Sequence, residues 1–560
     1  VSLPGVEIHR PESAEQIRSL LAADPERVWI LDTETDGLSV VGPDAAHRAH
    51  WIGLTPLGSR HCFILSWEEF VCWEIGPILE RLRLGGQNLR FDLHALGGIV
   101  PTRPWFDSMG TAYFKNTAGF HSLEHLAAVR GWEKIPTPDA LKKGRIAEIP
   151  HEELFTYLAD DCFCTSRLIA AERGNLTPDH ELERAVYLME LRGVRVLPEP
   201  FEALGQEVEA KEGAARLALS EAGFDGNPNA PEQLKAWLTR EGRKIRDTKK
   251  QTLTLMAESG DKLAQLIIAY RSVSKLMSGF IRPMPDHLQE DGMIYPHIKT
   301  TRTTTGRFAY AEPNIQQIPK RTALGKRLRH AITDRDRTGV IASDYSQVEL
   351  RVVAAFADEP VLLSAFREGR CPHRSTAASM LRRPIEEVTD EDRFNAKAVN
   401  FGILNGMGSK GLAYQLRSTR SEAARFLRAY KEGLPKLNEW MEGCWGRAES
   451  VGMARTVAGR TRIYRAREKT RTSISVEVQG SAAELLRAAV CEVERKGLGA
   501  IGMVHDEILA PRGAPDEAEG RTKLLQGTME SAANEAYADS FEAVNFAAEA
   551  GAGETWGDAG

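Results

Sequence analysis

The sequence predicts an α/β domain over residues 1–178 followed by a larger α+β domain over residues 179–560. Three observations carry that expectation. A chain of 560 residues is too long for one hydrophobic core, so about two to four domains are expected. Short apolar runs at residues 28–31, 51–54 and 62–65 read as buried strands of the first part. From Pro178 to about Leu276 apolar residues recur at three- and four-residue steps, the helical period, interrupted by a loop at residues 225–231. Breaker-rich residues 283–296 end that block, and strand and helix signals then alternate to the C-terminus.

Composition narrows the class. Apolar residues make up 42% of the chain and charged residues 27%, ordinary values for a globular protein. No apolar run approaches the ~20 residues needed to span a bilayer, and no basic flank with an apolar core opens the chain. A cytoplasmic location with no membrane partner is expected. Seven cysteines at irregular spacing predict no disulfide framework, and Cys162 with Cys164 is half a metal site without its other half. The net charge of −6 argues against a polyanionic partner, but the charge is unevenly spread. Residues 299–337 carry Lys299, Arg302, Arg307, Lys320, Arg321, Lys326, Arg327, Arg329, Arg335 and Arg337, and residues 455–471 carry Arg455, Arg460, Arg462, Arg465, Arg467, Lys469 and Arg471. Two local basic stretches predict a groove for phosphate groups.

Acids at strand ends point to chemistry. The apolar run 340–342 leads to Asp344 at the end of a predicted strand, and Glu349 follows at the start of a predicted helix. Far along the chain, Met503-Val504-His505-Asp506-Glu507-Ile508 sets two acids in a tight turn between apolar residues. Carboxylates brought together from distant strands suit two divalent ions, which can stabilise the attacking and leaving oxygens of a phosphoryl transfer. Oxygen-only donors favour magnesium, with manganese able to substitute. Between these acids, Thr389 and Asp392 mark a helix start, and Arg393, Lys397 and Phe401 recur every four residues on one face of that helix.

These three segments, in this order, resemble the three polymerase motifs of family A DNA polymerases, the bacterial DNA polymerase I family. The resemblance extends to the first domain. Asp32 and Glu34 stand two apart after the strand 28–31, so both point to one face. Asp92, Asp161 and Tyr157 follow in sequence, with Tyr157 one helical turn before Asp161. Four acids and a tyrosine in this order are similar to the proofreading 3′–5′ exonuclease of the same family. Asp107 matches a position of structural rather than catalytic character. His121 and His125 stand four apart with Glu124 between, lack a third ligand and are read as ordinary surface residues.

The resemblance implies a ribonuclease H-like exonuclease domain and a right-hand polymerase domain. The thumb falls at about 190–290, the palm at about 291–365 and 471–560, and the fingers at about 366–470. It implies template-directed extension of a primer 3′-hydroxyl with deoxynucleoside triphosphates, and proofreading. Two magnesium ions per site are implied, held by Asp344, Asp506 and the backbone oxygen of Tyr345 in one, and by Asp32, Glu34, Asp92 and Asp161 in the other. Glu507 is a supporting ligand and Tyr157 positions water. Gln347, Glu349, His373, Arg393, Lys397 and Phe401 are implied to meet the nucleotide. Lys275, Arg307, Asn314, Gln316, Arg471, Gln479, His505 and Asn88 are implied to meet primer-template DNA. A monomer is expected, with no processivity partner assigned and no 5′-nuclease domain. Asn405 and Ser475 depart from the family pattern, which usually has tyrosine and asparagine there. A single-subunit RNA polymerase, or a DNA-binding scaffold with degenerate sites, are the alternatives; Glu349 and the full set of acids argue against them.

Overall fold

The computed structural model describes residues 5–37, 49–172, 177–404, 406–466, 468 and 470–560. The first part is built on a six-stranded sheet in the order β1-β4-β3-β2-β5-β6. Its strands are β1 (Glu7–His9), β2 (Val28–Thr35), β3 (Ala49–Pro56), β4 (His61–Ser66), β5 (Arg83–Gly86) and β6 (Phe106–Asp107). β3 runs antiparallel to β2 and β4, while β1 with β4, β2 with β5, and β5 with β6 are parallel. The strand period of two divides the core. Trp29 and Leu31 of β2 join the cluster containing Ile17, Leu21 and Leu93, whereas Ile30 joins Leu158, Ala159 and Cys162 on the other face. Asp32 and Glu34 share the face of Ile30, so they point toward the long helix His151–Ala171. Gly53, the cross-strand partner of Asp32, lets that helix come close: a Cβ there would lie 2.8 Å from Cys162 Sγ and 3.0 Å from Leu158 Cγ.

The second part centres on a four-stranded antiparallel sheet. In chain order the remaining strands are β7 (Val194–Val196), β8 (Met293–Ile294), β9 (His297–Lys299), β10 (Ala309–Ala311), β11 (Ile332–Thr333), β12 (Val340–Tyr345), β13 (Met453–Arg455), β14 (Thr461–Ile463), β15 (Gly502–Val504), β16 (Glu507–Pro511) and β17 (Ala548–Gly553). The central sheet has the order β15-β16-β12-β17, so β12 is hydrogen-bonded on both sides. Helices Ser473–Arg495 and Ala518–Ala536 pack together, and the second lies on β12 and β17. One continuous core runs from Leu182 to Ala559. A helical pair, Pro198–Glu221 with Lys262–Leu276, leads away from it to a separate small core around Leu219, Trp237 and Ile267. On the other side of the sequence, helices Pro372–Leu381, Asp390–Leu404, Arg420–Gly433 and Pro435–Val451 form a further block.

The two parts meet across a buried charge network carried by the helix Pro178–Arg192. Asp179, Glu183 and Glu190 all lie on its buried side. Arg90, from the first part, reaches Glu183 at 2.5 Å and Glu190 at 2.9 Å, and His94 Nε2 lies 3.0 Å from Glu190. Arg460 grips both oxygens of Asp179 at 2.7 Å, and Arg487 adds a contact at 2.8 Å. Burial alone would raise the Asp179 carboxyl, but the two guanidinium groups overcome it and hold it at about 2.

This corrects part of the sequence reading. Arg460 and Arg329, expected in a basic groove, are buried, at 0% and 4% exposure. Their charges belong to ion pairs within the protein, which sequence composition cannot distinguish from a solvated patch. Arg467 and Lys469 lie outside the described residues. Cys162 packs in the core, and Cys164 Sγ donates to Asp160 Oδ1 at 3.6 Å, so neither takes part in a metal set. His121 Nε2 bonds the Asn116 carbonyl and His125 meets Phe120 edge to face, which leaves them with structural roles.

Asp179→Ala would leave Arg460 and Arg487 facing a void without their shared anion. Removing one partner of a buried ion pair costs about 3–5 kcal/mol. The variant should unfold at markedly lower denaturant concentration, and a midpoint equal to that of the parent would show that the network does not hold the junction.

Candidate active sites

The first cluster forms at the end of β2. Asp32 and Glu34 face Tyr157 and Asp161, which are one turn apart on the helix His151–Ala171. Asp92, on the helix Leu89–Ala95, accepts a hydrogen bond from Thr33 Oγ1 at 2.8 Å. Burial and the facing acids Asp92, Asp161 and Glu34 push the Asp32 carboxyl well above its ordinary range. Burial, then Asp161 and Asp92, do the same for Glu34. Burial pushes Asp92 up to about 8, against the Thr33 hydrogen bond. Burial also lifts Asp161 to about 7, although Lys134 pulls it down.

Lys134 is the residue that sequence reasoning missed here. Its ammonium lies 2.5 Å from Asp161 Oδ1 and 4.5 Å from the centroid of the Tyr157 ring. Nothing in its neighbourhood of the sequence marks it, because its partners are about 25 residues away. The Tyr157 hydroxyl shares a 3.1 Å hydrogen bond with Thr137 Oγ1, and burial together with Asp161 raises its pKa, so it stays protonated. Asp107 accepts from the backbone of Leu89 at 2.8 Å and of Gly110 at 2.9 Å, capping two helices, and its charge adds to raising Asp92. Asn88 stands in the left-handed region, φ 62°, immediately before the helix that carries Asp92.

The second cluster lies at the edge of the central sheet. Asp344 pairs with Glu507 across β12 and β16, and Asp506 sits in the two-residue turn joining β15 to β16. His505 takes the left-handed position of that turn, φ 62°. Tyr345 donates its backbone N–H to the Asp506 carbonyl at 3.3 Å, and its hydroxyl is turned away to the Met529 carbonyl at 2.7 Å. Burial, then the charge of Asp344, push Asp506 up to about 7. Asp344 Oδ1 is buried without a hydrogen-bond partner among the described residues, and its other oxygen lies 3.4 Å from Lys320. Glu507 is buried, and receives Trp556 Nε1 at 3.1 Å and Lys320 at 3.5 Å.

A cleft of about 800 Å³ gathers most of the predicted residues. Asp344, Tyr345, Gln347, Glu349 and Asp506 line it together with Arg393, Lys397 and Phe401, and Arg307, Gln316 and His505 complete the wall. Glu349 is held by an ion pair with Arg307. Arg393 Nε donates to Cys371 Sγ at 3.4 Å. His373 lies behind the cleft: it is 1% exposed, accepts from Asn400 Nδ2 at 3.1 Å and packs at a tilt against the Phe401 ring, centroids 5.7 Å apart. Burial, then the charges of Lys397 and Arg393, lower its pKa to about 4, so its ring is neutral. Lys275, Asn314, Arg471 and Gln479 do not line this cleft. Lys275 is exposed on the helix Lys262–Leu276, Asn314 and Gln479 are half-buried, and Arg471 lies 5.7 Å from the centroid of the Trp445 ring. Ser475 donates to the Leu404 carbonyl at 3.3 Å, and Asn405 lies outside the described residues.

Both clusters fit hard divalent cations. Their donors are oxygen only, their acids are buried close enough to raise one another, and Asp344 keeps an unpaired buried oxygen.

The profile of DNA polymerase family A matches residues 199–558. The chain belongs to DNA polymerase family A. It is 29% identical over 591 residues to DNA polymerase I of Pseudomonas aeruginosa, covering 94% of this chain and 63% of that protein. It is 32% identical over 462 residues to the thermostable DNA polymerase I of Thermus filiformis, covering 78% of this chain and 54% of that protein. The chain thus spans 63% or less of the length of these two relatives. Its fold is similar to that of the POL domain of Pol1 from M. smegmatis, solved in complex with DNA primer-template and dNTP. The TM-score is 0.81 at 22% identity, covering 98% of this chain and 100% of that one. The polymerase-domain fold of family A therefore holds the second cluster, as its motifs led us to expect.

The raised carboxyl pKa values have a testable consequence. A carboxyl whose pKa rises on folding keeps its proton where the unfolded chain, at about 4, has lost it. Its contribution to stability is fully present below the unfolded value and is lost as pH rises through the folded value. In chelator, the melting temperature should fall from about pH 5 to about pH 8, and magnesium should restore most of the loss. A melting temperature that is flat across this window in chelator would mean that the acids are already neutralised.

Proposed function

We propose that this chain is a template-directed DNA polymerase with a separate 3′–5′ proofreading exonuclease. The observation that carries the first activity is the single cleft in which Asp344 and Asp506 share walls with Arg393, Lys397 and Phe401. Asp344, Asp506 and the Tyr345 backbone oxygen would hold two magnesium ions, and Asp32, Glu34, Asp92 and Asp161 would hold two more. When bound, the ions supply charge neutralisation for the attacking and leaving oxygens.

The protein's own groups do the rest. Arg393 and Lys397, one helical turn apart, face the triphosphate and offset its charge in the ground state and more strongly as pyrophosphate departs. The primer 3′-oxygen bonds to the α-phosphorus, the bond to the β-phosphate oxygen breaks, and the 3′-hydroxyl proton is lost to solvent. Phe401 packs on the sugar and base, and neutral His373 supports its ring from behind. Arg307 fixes the Glu349 carboxylate beside the position of the sugar. In the first cluster, the protonated Tyr157 hydroxyl orients the attacking water, and Lys134 balances part of the acid charge.

A crossover experiment tests both activities. Asp344→Asn or Asp506→Asn should abolish primer extension and leave digestion of single-stranded 3′ ends. Asp32→Ala with Glu34→Ala should do the reverse and raise the mismatch rate. Extension by the first pair at the parent rate, or digestion by the second, would separate the cluster concerned from its assigned chemistry.

Lys397→Ala should lower catalytic efficiency for nucleotide incorporation by about a hundredfold or more, the scale of other single electrostatic contacts. An effect confined to DNA affinity would place Lys397 on the template instead. Glu349→Ala should admit ribonucleotides with little change for deoxynucleotides, because the side chain that meets a 2′-hydroxyl is gone. Competitive incorporation at matched concentrations reads this directly, and an unchanged sugar preference would bring back the RNA polymerase alternative.

A further inference from the structure

One group of potential metal ligands lies outside both clusters. Glu7 and His9 are two apart on β1, and His61 begins β4, where it is the register partner of Glu7. The strand period puts all three side chains on one face at the sheet margin. His9 Nε2 lies 2.9 Å from His61 Nδ1, and the Glu7 carboxylate oxygen lies 3.2 Å from His61 Nδ1 and 3.8 Å from His9 Nε2. Among the described residues, no other trio of histidine, cysteine and acid brings its ligand atoms so close together.

The spacing suits a tetrahedral dication. Zinc binds imidazole nitrogen and carboxylate oxygen at about 2.0–2.2 Å, so neighbouring ligands of a tetrahedron lie about 3.3 Å apart. The three observed separations bracket that value. The rings are also held. His9 stacks on Phe63 at 5.0 Å, and the start of β4 is fixed by His61 N–H donating to Ser59 Oγ at 3.1 Å. Without a metal, one ring must donate to the other, with the carboxylate beside them. With a metal, both lone pairs turn inward, and the rings carry their protons on His9 Nδ1 and His61 Nε2.

We infer that Glu7, His9 and His61 form a binding site for a zinc-class transition-metal dication, with the fourth position open to water. Two nitrogen donors and one oxygen separate it chemically from the oxygen-only clusters, which suit magnesium. The site joins residues 52 apart in sequence and ties β1, a three-residue strand at the margin of the described sheet, to β4. Its role is a staple on the margin of the first sheet, and it takes no part in phosphoryl transfer.

The test uses the full chain in excess magnesium, which masks the carboxylate clusters. Titration with cobalt(II) should give one equivalent with the intense visible bands of tetrahedral nitrogen-ligated cobalt. Zinc should displace it and raise the melting temperature. H9A/H61A should lose that equivalent, the bands and the zinc-dependent shift, while primer extension in magnesium stays at the parent level and reports an intact fold. Retention of the tetrahedral equivalent in H9A/H61A, or its absence from the parent at millimolar cobalt, would overturn the assignment.

Discussion

The helix Pro178–Arg192 sets the relation between the two halves of this chain. Asp179, Glu183 and Glu190 are withdrawn from water, and charges so placed must find partners. Their partners come from four separate segments: Arg90 and His94, His297, Arg460, and Arg487. Burial and the Arg90 charge act in opposite senses on Glu190, and the guanidinium and histidine contacts win, holding its carboxyl at about 2. Glu183 goes the other way: burial dominates and raises it despite Arg90. Buried ion networks of this kind seldom add stability over a well-packed apolar core. What this one supplies is orientation, since each pair is satisfied in one docking of the halves and left bare in others.

The same electrostatics governs the two candidate acid clusters, where the balance is left incomplete. In each, acids from separate strands or helices are brought together and one lysine stands among them. Lys134 lies beside Asp161, and Lys320 lies between Asp344 and Glu507. In the first cluster a single ammonium faces four carboxylates; in the second, Arg329 adds a contact to Glu507 at 3.6 Å and Arg307 pairs with Glu349, yet Asp344 Oδ1 keeps no partner among the described residues. In the junction network the acids are gripped directly by arginine: Arg90 meets Glu183 and Glu190, and Arg460 meets Asp179 and Glu484.

Much of this was legible locally. Asp32 and Glu34 follow an apolar strand with the period of two, and Arg393, Lys397 and Phe401 follow the helical step, so their shared faces were implied by spacing. The pairing of Asp344 with the Asp506 turn came from family resemblance, because the intervening stretch of about 160 residues carries no local signal of contact. Lys134 and Trp556 escaped notice for the same reason, each acting on an acid distant in sequence, and Lys320 was read only as part of a basic groove. Arg460 and Arg329 were misplaced because a run of basic residues looks alike whether its charges face water or buried acids. His373 was expected at the triphosphate; its depth behind Phe401 depends on the packing of two helices that no single segment encodes.

Backbone geometry completes the placement of the acids. Gln347, between Asp344 and Glu349, and His505, beside Asp506, both adopt left-handed conformations. For residues with a Cβ such conformations cost about 1–3 kcal/mol and persist only where the surroundings over-determine them. Here the surroundings do so. β12 is hydrogen-bonded to β16 and β17 at once, and the Tyr345 N–H is fixed to the Asp506 carbonyl. The left-handed Gln347 turns the chain sharply from strand to helix, which brings Glu349 back over the cleft that Asp344 faces. The left-handed His505 closes the opposite turn in two residues, so Asp506 is delivered level with Asp344. A looser turn on either side would relieve the strain and separate the two carboxylates, and with them the site.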